Sequence, residues 1–198
     1  MRNLFFLLIL LIPFSLFAQN GYKVGDKVQD FSLLNVEDKS TITLNSFSSQ
    51  KIVVLIFTSH NCPYSKIYEQ RTKKFIQKYG QKAVTFLLVN PNNPVNNPEE
   101  SIEEMAHAAK ERDYQAPYLA DAEQIVCDKF GTTKTPEVFV LKNQSGNFIL
   151  KYKGAIDDNP QVAENVTTNY LQDAIESILS NQPVKISEKK AIGCMIHR

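Results

Sequence analysis

The sequence has no excess of charge of either sign, few cysteines and only one long hydrophobic run. Its 198 residues include 22 basic and 21 acidic ones, and no block of like charge stands out. Proteins that bind nucleic acid or anionic lipid carry a basic patch, so we predict neither kind of partner. The sequence also lacks internal repeats and low-complexity segments. This composition fits a neutral partner or a small substrate better.

The hydrophobic run, MRNLFFLLILLIPFSLFA, occupies residues 1–18. It has one basic residue, Arg2, near its start, is interrupted by Pro13 and ends on the small residue Ala18. A membrane-spanning helix needs roughly 20 apolar residues, so this run is too short and too broken for one. The pattern is typical of a secretory signal peptide. We expect export to the periplasm or secretion, cleavage after Ala18 and no stable membrane insertion afterwards.

The remaining residues suit one domain with a single core. We predict that this domain covers residues 19–180 and that residues 181–198 form a tail without hydrophobic periodicity. The predicted elements, in order, are a hairpin from DFSLLN and STITL, a buried strand at 51–57, a helix at 63–79, a strand at 83–90, a proline-rich insertion at 91–98, a helix from Asn97 through Asp113, a short helix between Asp121 and Gly131, a hairpin from EVFVLK and FILKYKG, and a last helix from about Gln161 to Ser180. This order predicts an α/β protein whose mixed central sheet has helices on both faces. It resembles the thioredoxin fold with the N-terminal extension of peroxiredoxins.

Cys62 lies in TSHNCPYSKIYEQR, residues 58–71, where the buried strand gives way to the helix. If Pro63 is the first helical residue, Cys62 is the N-cap, where unpaired N–H groups and the helix dipole stabilise an anion. The thiolate is the nucleophilic form of cysteine, so this position suits thiol chemistry. The alternative is a cysteine that only caps the helix, although serine or aspartate would cap it better.

Export would place the three cysteines in a compartment where disulfides persist. Because three is odd, at least one thiol lies outside any disulfide within a monomer. Cys127 lies inside a predicted helix, whereas Cys194 follows Gly193 in the irregular tail. Both are candidate resolving thiols, and we predict Cys194 as the partner of Cys62 if an intramolecular partner exists.

The segment CPYSKIYEQR resembles the signature CPYVKAYEDR of a peroxiredoxin-like group in the thioredoxin-like superfamily, the alkyl hydroperoxide reductase/thiol-specific antioxidant or redoxin group. The shared residues are Cys62, Pro63, Tyr64, Lys66, Tyr68, Glu69 and Arg71. Further similar segments are PYLADAEQ at 117–124, TPEVFV at 135–140, YKGAIDDN at 152–159 and IGCMI at 192–196. The resemblance implies a thiol-dependent oxidoreductase or antioxidant enzyme. It also implies that Thr135 and Pro136 form a cis peptide that faces the reactive cysteine.

The sequence departs from this group at its usual partner cysteines. Ser59 replaces a cysteine three residues before Cys62, and Lys134 replaces one just before the Thr-Pro pair. Ser65 stands where a dithiol thioredoxin has its resolving cysteine. Cys62 therefore cannot close a local disulfide, and its resolving thiol must be Cys127, Cys194, another chain or a small thiol.

Four other residues are candidates for a supporting role, namely Ser59, Ser65, Lys66 and Glu137. Ser59 can supply a hydroxyl, Lys66 can favour a thiolate, and Glu137, beside the predicted cis-proline, can move a proton. For the two charged residues, a solvated surface position is the alternative. We predict no metal and no cofactor, because His60 with Cys62, or Cys194 with His197, supplies only two ligands.

The leading interpretation is an exported thiol-disulfide oxidoreductase whose single nucleophile is Cys62, with Thr135 and Pro136 beside it. Its partners would be a thiol or disulfide protein, or a small thiol, and an unknown reductant. One alternative is a weak thiol peroxidase, but Leu55 replaces the proline of the peroxidatic pattern. The other is a non-catalytic thioredoxin-fold module that binds client peptides, which the missing local cysteines favour.

Overall fold

The computed structural model of the chain describes residues 21–197, so the predicted signal peptide lies outside the described residues. The strands are β1 (Ser32–Asn35), β2 (Thr41–Thr43), β3 (Ile52–Phe57), β4 (Val84–Asn90), β5 (Tyr118–Ala120), β6 (Lys134–Thr135), β7 (Glu137–Gln144), β8 (Asn147–Gly154), β9 (Glu188–Lys189) and β10 (Cys194–Met195). The helices are α1 (Pro63–Tyr79), α2 (Ile102–Arg112), α3 (Ile125–Phe130) and α4 (Tyr170–Leu179). Short 3-10 turns occupy Leu44–Phe47, Pro98–Glu100 and Ala163–Asn165.

Eight strands form one mixed sheet in the order β2-β1-β5-β4-β3-β7-β8-β9. The central strand β3 runs parallel to β4 and antiparallel to β7. No residue of β3 is more than 1% exposed, because the strand has neighbours on both edges and packed layers on both faces. The predicted mixed α/β sheet is confirmed.

The core has two layers, one on each face of the sheet. One layer contains every second residue of β3, starting at Ile52, together with apolar residues of α1, α2 and α4. The other contains the alternate residues, starting at Val53, together with α3 and the N-terminal segment. This alternation follows from the two-residue period of a strand. The prediction of helices on both faces is confirmed, as is the N-terminal hairpin formed by β1 and β2.

The last helix is shorter than the predicted span from Gln161 to Ser180. It begins at Tyr170, and the predicted apolar stripe residue Val162 is 41% exposed outside it. The side chain of Asn159 holds this preceding segment in a turn. Asn159 Oδ1 accepts hydrogen bonds from the backbone N–H groups of Gln161 and Val162, at 3.2 and 2.9 Å. Such side-chain bonds compete with helical ones, which sets the late start.

The second helix also begins later than predicted. Instead of a helix from Asn97, the chain forms the turn Pro98–Glu100, and α2 starts after Ser101. The Ser101 hydroxyl caps α2 by accepting a hydrogen bond from the Glu104 N–H at 3.3 Å. The extra turn directs Glu100 into the protein interior, where it is 5% exposed.

The tail, predicted only as a segment without periodicity, forms two short strands. β9 pairs in parallel with β8, and β10 pairs antiparallel with β6. Strands of two residues carry no readable period, which is why the sequence does not show them. Within residues 21–197, no helix has the length and apolar character needed to span a membrane.

Candidate redox-active site

Cys62 lies at the N-cap of α1, as the sequence predicts. Pro63 is the first helical residue, and Cys62 has an extended backbone with φ −69° and ψ 123°. Its sulfur accepts the backbone N–H of Ser65 at a distance of 3.4 Å. The sulfur therefore lies at the N-terminus of the helix and accepts one of its first N–H groups, an arrangement that stabilises a thiolate.

A disulfide joins Cys62 to Cys194. The two Cα atoms are 5.9 Å apart, within the usual range of about 4.4 to 6.8 Å for a disulfide. Cys62 is only 4% exposed, whereas Cys194 is half-buried. Cys127 lies outside this pair, fully buried in α3, with its sulfur 3.5 Å from the carbonyl oxygen of Thr132. The structure thus contains the pairing that the sequence favours.

The Thr135–Pro136 peptide bond is cis and lies against the same sulfur. The carbonyl oxygen of Thr135 is 3.1 Å from Cys62 Sγ, and both Thr135 and Pro136 are buried. When Cys62 is reduced and protonated, this oxygen is in position to accept its S–H. The fold therefore brings together four predicted site residues, Cys62, Cys194, Thr135 and Pro136, from separate parts of the chain.

Ser59 supports the backbone beneath Cys62. Its hydroxyl oxygen accepts the backbone N–H groups of Asn61 and Cys62, at 3.0 and 3.2 Å. It donates its own proton to Glu100 Oε1. A serine hydroxyl has one donor and two acceptor positions, so all three are in use. The predicted hydroxyl of Ser59 thus holds the backbone of Asn61 and Cys62 in place.

Glu100 is a site residue that sequence reasoning missed. Its Oε2 accepts a hydrogen bond from Asn90 Nδ2 at 2.6 Å, and its Oε1 accepts one from Asn92 Nδ2 at 3.3 Å. His60 Nδ1 is 3.3 Å from Oε2, while its Nε2 is 2.9 Å from the carbonyl oxygen of Glu99. Hydrogen-bond donors thus converge on both oxygens of Glu100. A carboxylate suits this position because both of its oxygens accept hydrogen bonds.

The available signal for this cluster was the run of asparagines after a buried strand. Asn90 ends β4, and Asn92 follows two residues later at 5% exposure. A buried amide needs a partner, which predicts a polar cluster at that end of the strand. The identity of the partner depends on how the insertion folds back, and the sequence alone does not give that.

The other predicted supporting residues lie in different environments. Ser65 is buried, and its hydroxyl accepts the Ser59 N–H at 3.4 Å, so it joins the cluster under Cys62. Lys66 is exposed on α1. Glu137 is partly buried after Pro136, and its carboxylate accepts the Thr132 hydroxyl.

Burial raises the pKa of Glu137, and the hydrogen bond from Thr132 partly opposes that shift. A carboxyl group with a raised pKa is suited to carrying a proton nearer to neutral pH. Glu137 borders a surface cavity of about 320 Å³, which Lys153 and Glu188 also line. The proton-transfer role of Glu137 stays a prediction.

Two residues of the CPYSKIYEQR segment, Tyr68 and Arg71, bind one buried carboxylate. Tyr68 donates to Asp157 Oδ1 at 2.7 Å, and Arg71 donates to Asp157 Oδ2 at 2.7 Å. Arg71 also bonds the carbonyl oxygens of Asn159 and Pro160, at 2.8 and 3.0 Å. Burial and the hydrogen bond to Asp157 raise the pKa of Tyr68, so it remains a donor. This cluster ties α1 to the segment after β8.

A cavity of about 160 Å³ lies between this cluster and the tail. Tyr68 and Asp157 line one part of it, and Pro136 and Ile192 line another. Among residues 21–197, no group of three or more histidine, cysteine or acidic side chains is arranged to hold a metal ion. The redox-active groups that this arrangement brings together are the sulfurs of Cys62 and Cys194.

Comparison with known proteins agrees with this geometry. A protein-family profile described as the AhpC/TSA family matches residues 24–159. The chain belongs to the AhpC/TSA family. The family is thioredoxin-like and uses thiol chemistry, so the predicted redoxin-type oxidoreductase class, of the disulfide-exchange or peroxidase type, is confirmed.

Two solved structures resemble this member of the AhpC/TSA family over most of their length. An uncharacterized conserved protein from Geobacillus kaustophilus is 29% identical, with a TM-score of 0.83, over 90% of this chain and 94% of that one. A hypothetical protein from Sinorhizobium meliloti is 28% identical, with a TM-score of 0.80, over 89% and 95%.

A third structure shares the fold alone. The thioredoxin domain of a thiol-disulfide oxidoreductase from Bacteroides vulgatus is 12% identical, with a TM-score of 0.54, over 68% of this chain and 91% of that one. No curated protein matches the chain.

Proposed function

We propose that the protein is an exported thiol-disulfide oxidoreductase in which Cys62 is the nucleophile and Cys194 is the resolving thiol. The observation that carries this proposal is the disulfide between a sulfur at a helix N-terminus and a sulfur on the tail, beside Thr135 and Pro136. Pairing across the tail replaces the local partner cysteines that the sequence lacks. The reduced and oxidised forms then make up one two-electron couple.

The reaction follows from this pair of sulfurs. The Cys62 thiolate attacks one sulfur of a substrate disulfide, the substrate S–S bond breaks, and its electron pair leaves on the first product thiolate. Cys194 thiolate then attacks Cys62 Sγ, forms the Cys62–Cys194 bond and releases the second product thiolate. The substrate gains two electrons and the protein loses two, which an external thiol reductant returns.

The surroundings of Cys62 support both protonation states that the cycle requires. The Ser65 N–H and the helix N-terminus stabilise the thiolate, while the Thr135 carbonyl oxygen can accept the proton of the thiol. Because Cys62 is buried, the low local polarity strengthens each of these interactions. Cys62 can therefore change between thiol and thiolate without a rearrangement of the surrounding backbone.

Disulfide exchange fits this site better than peroxide reduction. Leu55, at the position of the peroxidatic proline, is fully buried within β3. The Ser59 hydroxyl donates its hydrogen bond to Glu100 and accepts two backbone N–H groups. It therefore has no donor or acceptor position left for a hydrogen bond to a peroxide oxygen. We therefore expect the reduced protein to react faster with disulfides than with hydrogen peroxide. Stopped-flow rates at equal oxidant concentration decide between the two reactions.

Trapping of the mixed disulfide tests the proposed function directly. With Cys194→Ser, oxidised glutathione should leave a stable adduct on Cys62, whereas the wild type should pass on to the Cys62–Cys194 disulfide. The matched control is Cys62→Ser combined with Cys194→Ser, which should form no adduct there. A peroxide rate far above that of a free thiol would support the peroxidase alternative. Reaction with neither oxidant would support the client-binding module.

Export is part of the same proposal and rests on residues 1–18. Expression of the full chain, followed by cell fractionation and N-terminal sequencing, should give an exported protein that begins at Gln19. A matched chain without residues 1–18 should remain in the cytoplasm. Retention of the intact full chain in the cytoplasm would contradict export.

A further inference from the structure

The tail occupies the backbone edge next to the reactive sulfur. Cys194 pairs with Thr135 and Met195 with Lys134 in an antiparallel ladder. The ladder continues where the Ile196 N–H donates to the Thr133 carbonyl oxygen at 3.1 Å. The edge from residue 133 to residue 135 therefore has its hydrogen-bonding groups satisfied by the chain itself.

The fit of the tail against this edge is close. A Cβ atom placed on Gly193 would lie 2.1 Å from the Thr135 carbonyl oxygen, so only glycine allows the backbone to approach this far. A foreign peptide cannot share this space with the tail. The tail would have to leave before another strand could pair with β6.

Contacts on the N-terminal side of Cys194 hold the tail independently of the disulfide. The Lys153 N–H donates to the Ser187 carbonyl oxygen at 3.1 Å, and the Ala155 N–H donates to the Lys189 carbonyl oxygen at 2.9 Å. Gly154 lies against the backbone of Lys189, so closely that a Cβ there would be 1.7 Å from the Lys189 oxygen. None of these contacts involves a sulfur atom.

A second anchor lies on the C-terminal side of Cys194. Ile196 is 7% exposed and belongs to the core layer that contains Phe57 and Val126. The His197 N–H donates to Asn92 Oδ1 at 3.1 Å, and its carbonyl oxygen accepts Gln124 Nε2 at 2.7 Å. Because the tail has anchors on both sides of Cys194, we expect it to stay docked when the S–S bond breaks.

We infer that the tail restricts this site to low-molecular-weight disulfides and excludes extended polypeptides, an inference that rests on the proposed function. A polypeptide that adds to a sheet edge needs free backbone N–H and C=O groups, and here the tail has taken them. A small disulfide needs no such edge, and has only to bring one sulfur to Cys62. The tail residue Ile196 thus determines substrate specificity without touching the substrate.

The reaction is a thiol-disulfide exchange in which atoms and electrons balance without any further reactant. The reduced pair, Cys62 and Cys194, reacts with one molecule RSSR to give the intramolecular disulfide and two molecules of RSH. One S–S bond breaks and one forms, and two electrons and two protons pass to the substrate. Because Cys194 is already docked, the second step is intramolecular and is fast relative to the first.

Two matched oxidants test the restriction on the reduced wild-type chain. One is oxidised glutathione, and the other is the disulfide-linked dimer of an unstructured peptide of about twelve residues with a central cysteine. We expect oxidation by glutathione disulfide to be at least about tenfold faster than by the peptide dimer, because the peptide finds no free edge. Equal rates would overturn the inference and leave the proposed function intact. Failure of both oxidants would overturn the proposed function itself.

The variant Ile196→Asp removes the C-terminal anchor while keeping Cys194. It should bring the two rates to within about threefold of each other by admitting the peptide. The exposed substitution Val95→Asp, at a residue that is 83% exposed, should keep the wild-type ratio. An unchanged ratio in Ile196→Asp would contradict the role of the tail.

Hydrogen exchange of the wild-type chain gives a test that needs no variant. The Ile196 and Ala155 amides should keep their protection to within about threefold when the disulfide is reduced, because their bonds do not involve sulfur. Loss of protection at both amides on reduction would show that the tail leaves, and would overturn the inference.

Discussion

The two cysteines of the disulfide are held in place by different kinds of structure. Cys62 is fixed locally, by the end of a buried strand, by its N-cap position, by the Ser59 hydroxyl and by the backbone N–H of Ser65. Cys194 is fixed by backbone pairing with segments that lie far away in the sequence. The two sulfurs are separated by 132 positions along the chain.

This difference shows how the protein compensates for the missing local cysteines. A cysteine at the N-cap of a helix is activated by that helix alone. The local sequence around the strand-to-helix junction is therefore enough to form the nucleophile. A resolving thiol on a tail needs the tail to be positioned by the whole fold. Changes on the tail side should therefore affect stability and resolution, while changes under Cys62 should affect the nucleophile.

The largest effect should come from removing the tether between the two regions. Cys194→Ala opens a loop of 132 residues, and the loss of chain constraint in the unfolded state should lower the unfolding free energy by up to about 5 kcal/mol. Urea denaturation of the oxidised proteins measures the difference. Reduced wild type is the control and should match oxidised Cys194→Ala. Equal stability of oxidised wild type and variant would contradict the tether.

A change beside Cys194 should disturb the tail alone. Gly193→Ala places a methyl group against the Thr135 carbonyl oxygen and should lower the unfolding free energy by about 3 kcal/mol, the upper end for overpacking. Oxidation of the reduced variant to the Cys62–Cys194 disulfide should also slow. Met195→Ala is the matched control, because Met195 is 63% exposed. Similar behaviour of the two variants would argue against close packing of the tail.

On the other side of the disulfide, Glu100→Gln should disturb the support of Cys62. An amide cannot accept hydrogen bonds at both ends, so a buried donor from Ser59, Asn90 or Asn92 loses its partner, at a cost of about 2 kcal/mol. The pH profile of Cys62 alkylation should shift as well, because a nearby charge is lost. The exposed substitution Glu123→Gln is the control. If Glu100→Gln keeps the wild-type stability and the wild-type pH profile of Cys62 alkylation, Glu100 does not support Cys62.

The smallest effect concerns Glu137, which lies between the two regions. Since burial raises its pKa, the folded state holds the proton more tightly than the unfolded chain. Its contribution to stability is present at low pH and is lost as pH rises through the folded pKa. The stability of wild type relative to Glu137→Gln should therefore fall as pH rises above 4.5. Thr132→Ala removes the hydrogen bond that lowers the folded pKa of Glu137, so the fall should start at the same pH and extend to higher pH.

The sequence predicts the Cys62 region well because every contributing signal there is local. The uniform apolar run of β3, the proline at the first helical position and the three-to-four spacing of α1 all lie within residues 51–79. The same kind of local signal predicts the hairpin of β7 and β8, which the structure confirms. Periodicity suffices for elements that are long enough to show it.

The parts that the sequence does not give depend on contacts between distant segments. The two-residue strands of the tail have no period, and the position of Glu100 depends on how the insertion after β4 folds back. The late start of α4 follows from hydrogen bonds to the side chain of Asn159. Each of these features is set by hydrogen bonds of polar side chains or of the backbone. Such bonds produce no periodic pattern in the sequence, whereas apolar residues do.

Peptide mapping of the reduced chain after reaction with one equivalent of oxidised glutathione tests the central claim most directly. The account predicts a crosslink between Cys62 and Cys194, with Cys127 recovered as a thiol, and loss of that crosslink in Cys194→Ser. A crosslink between Cys62 and Cys127, or only bonds between chains, would contradict it.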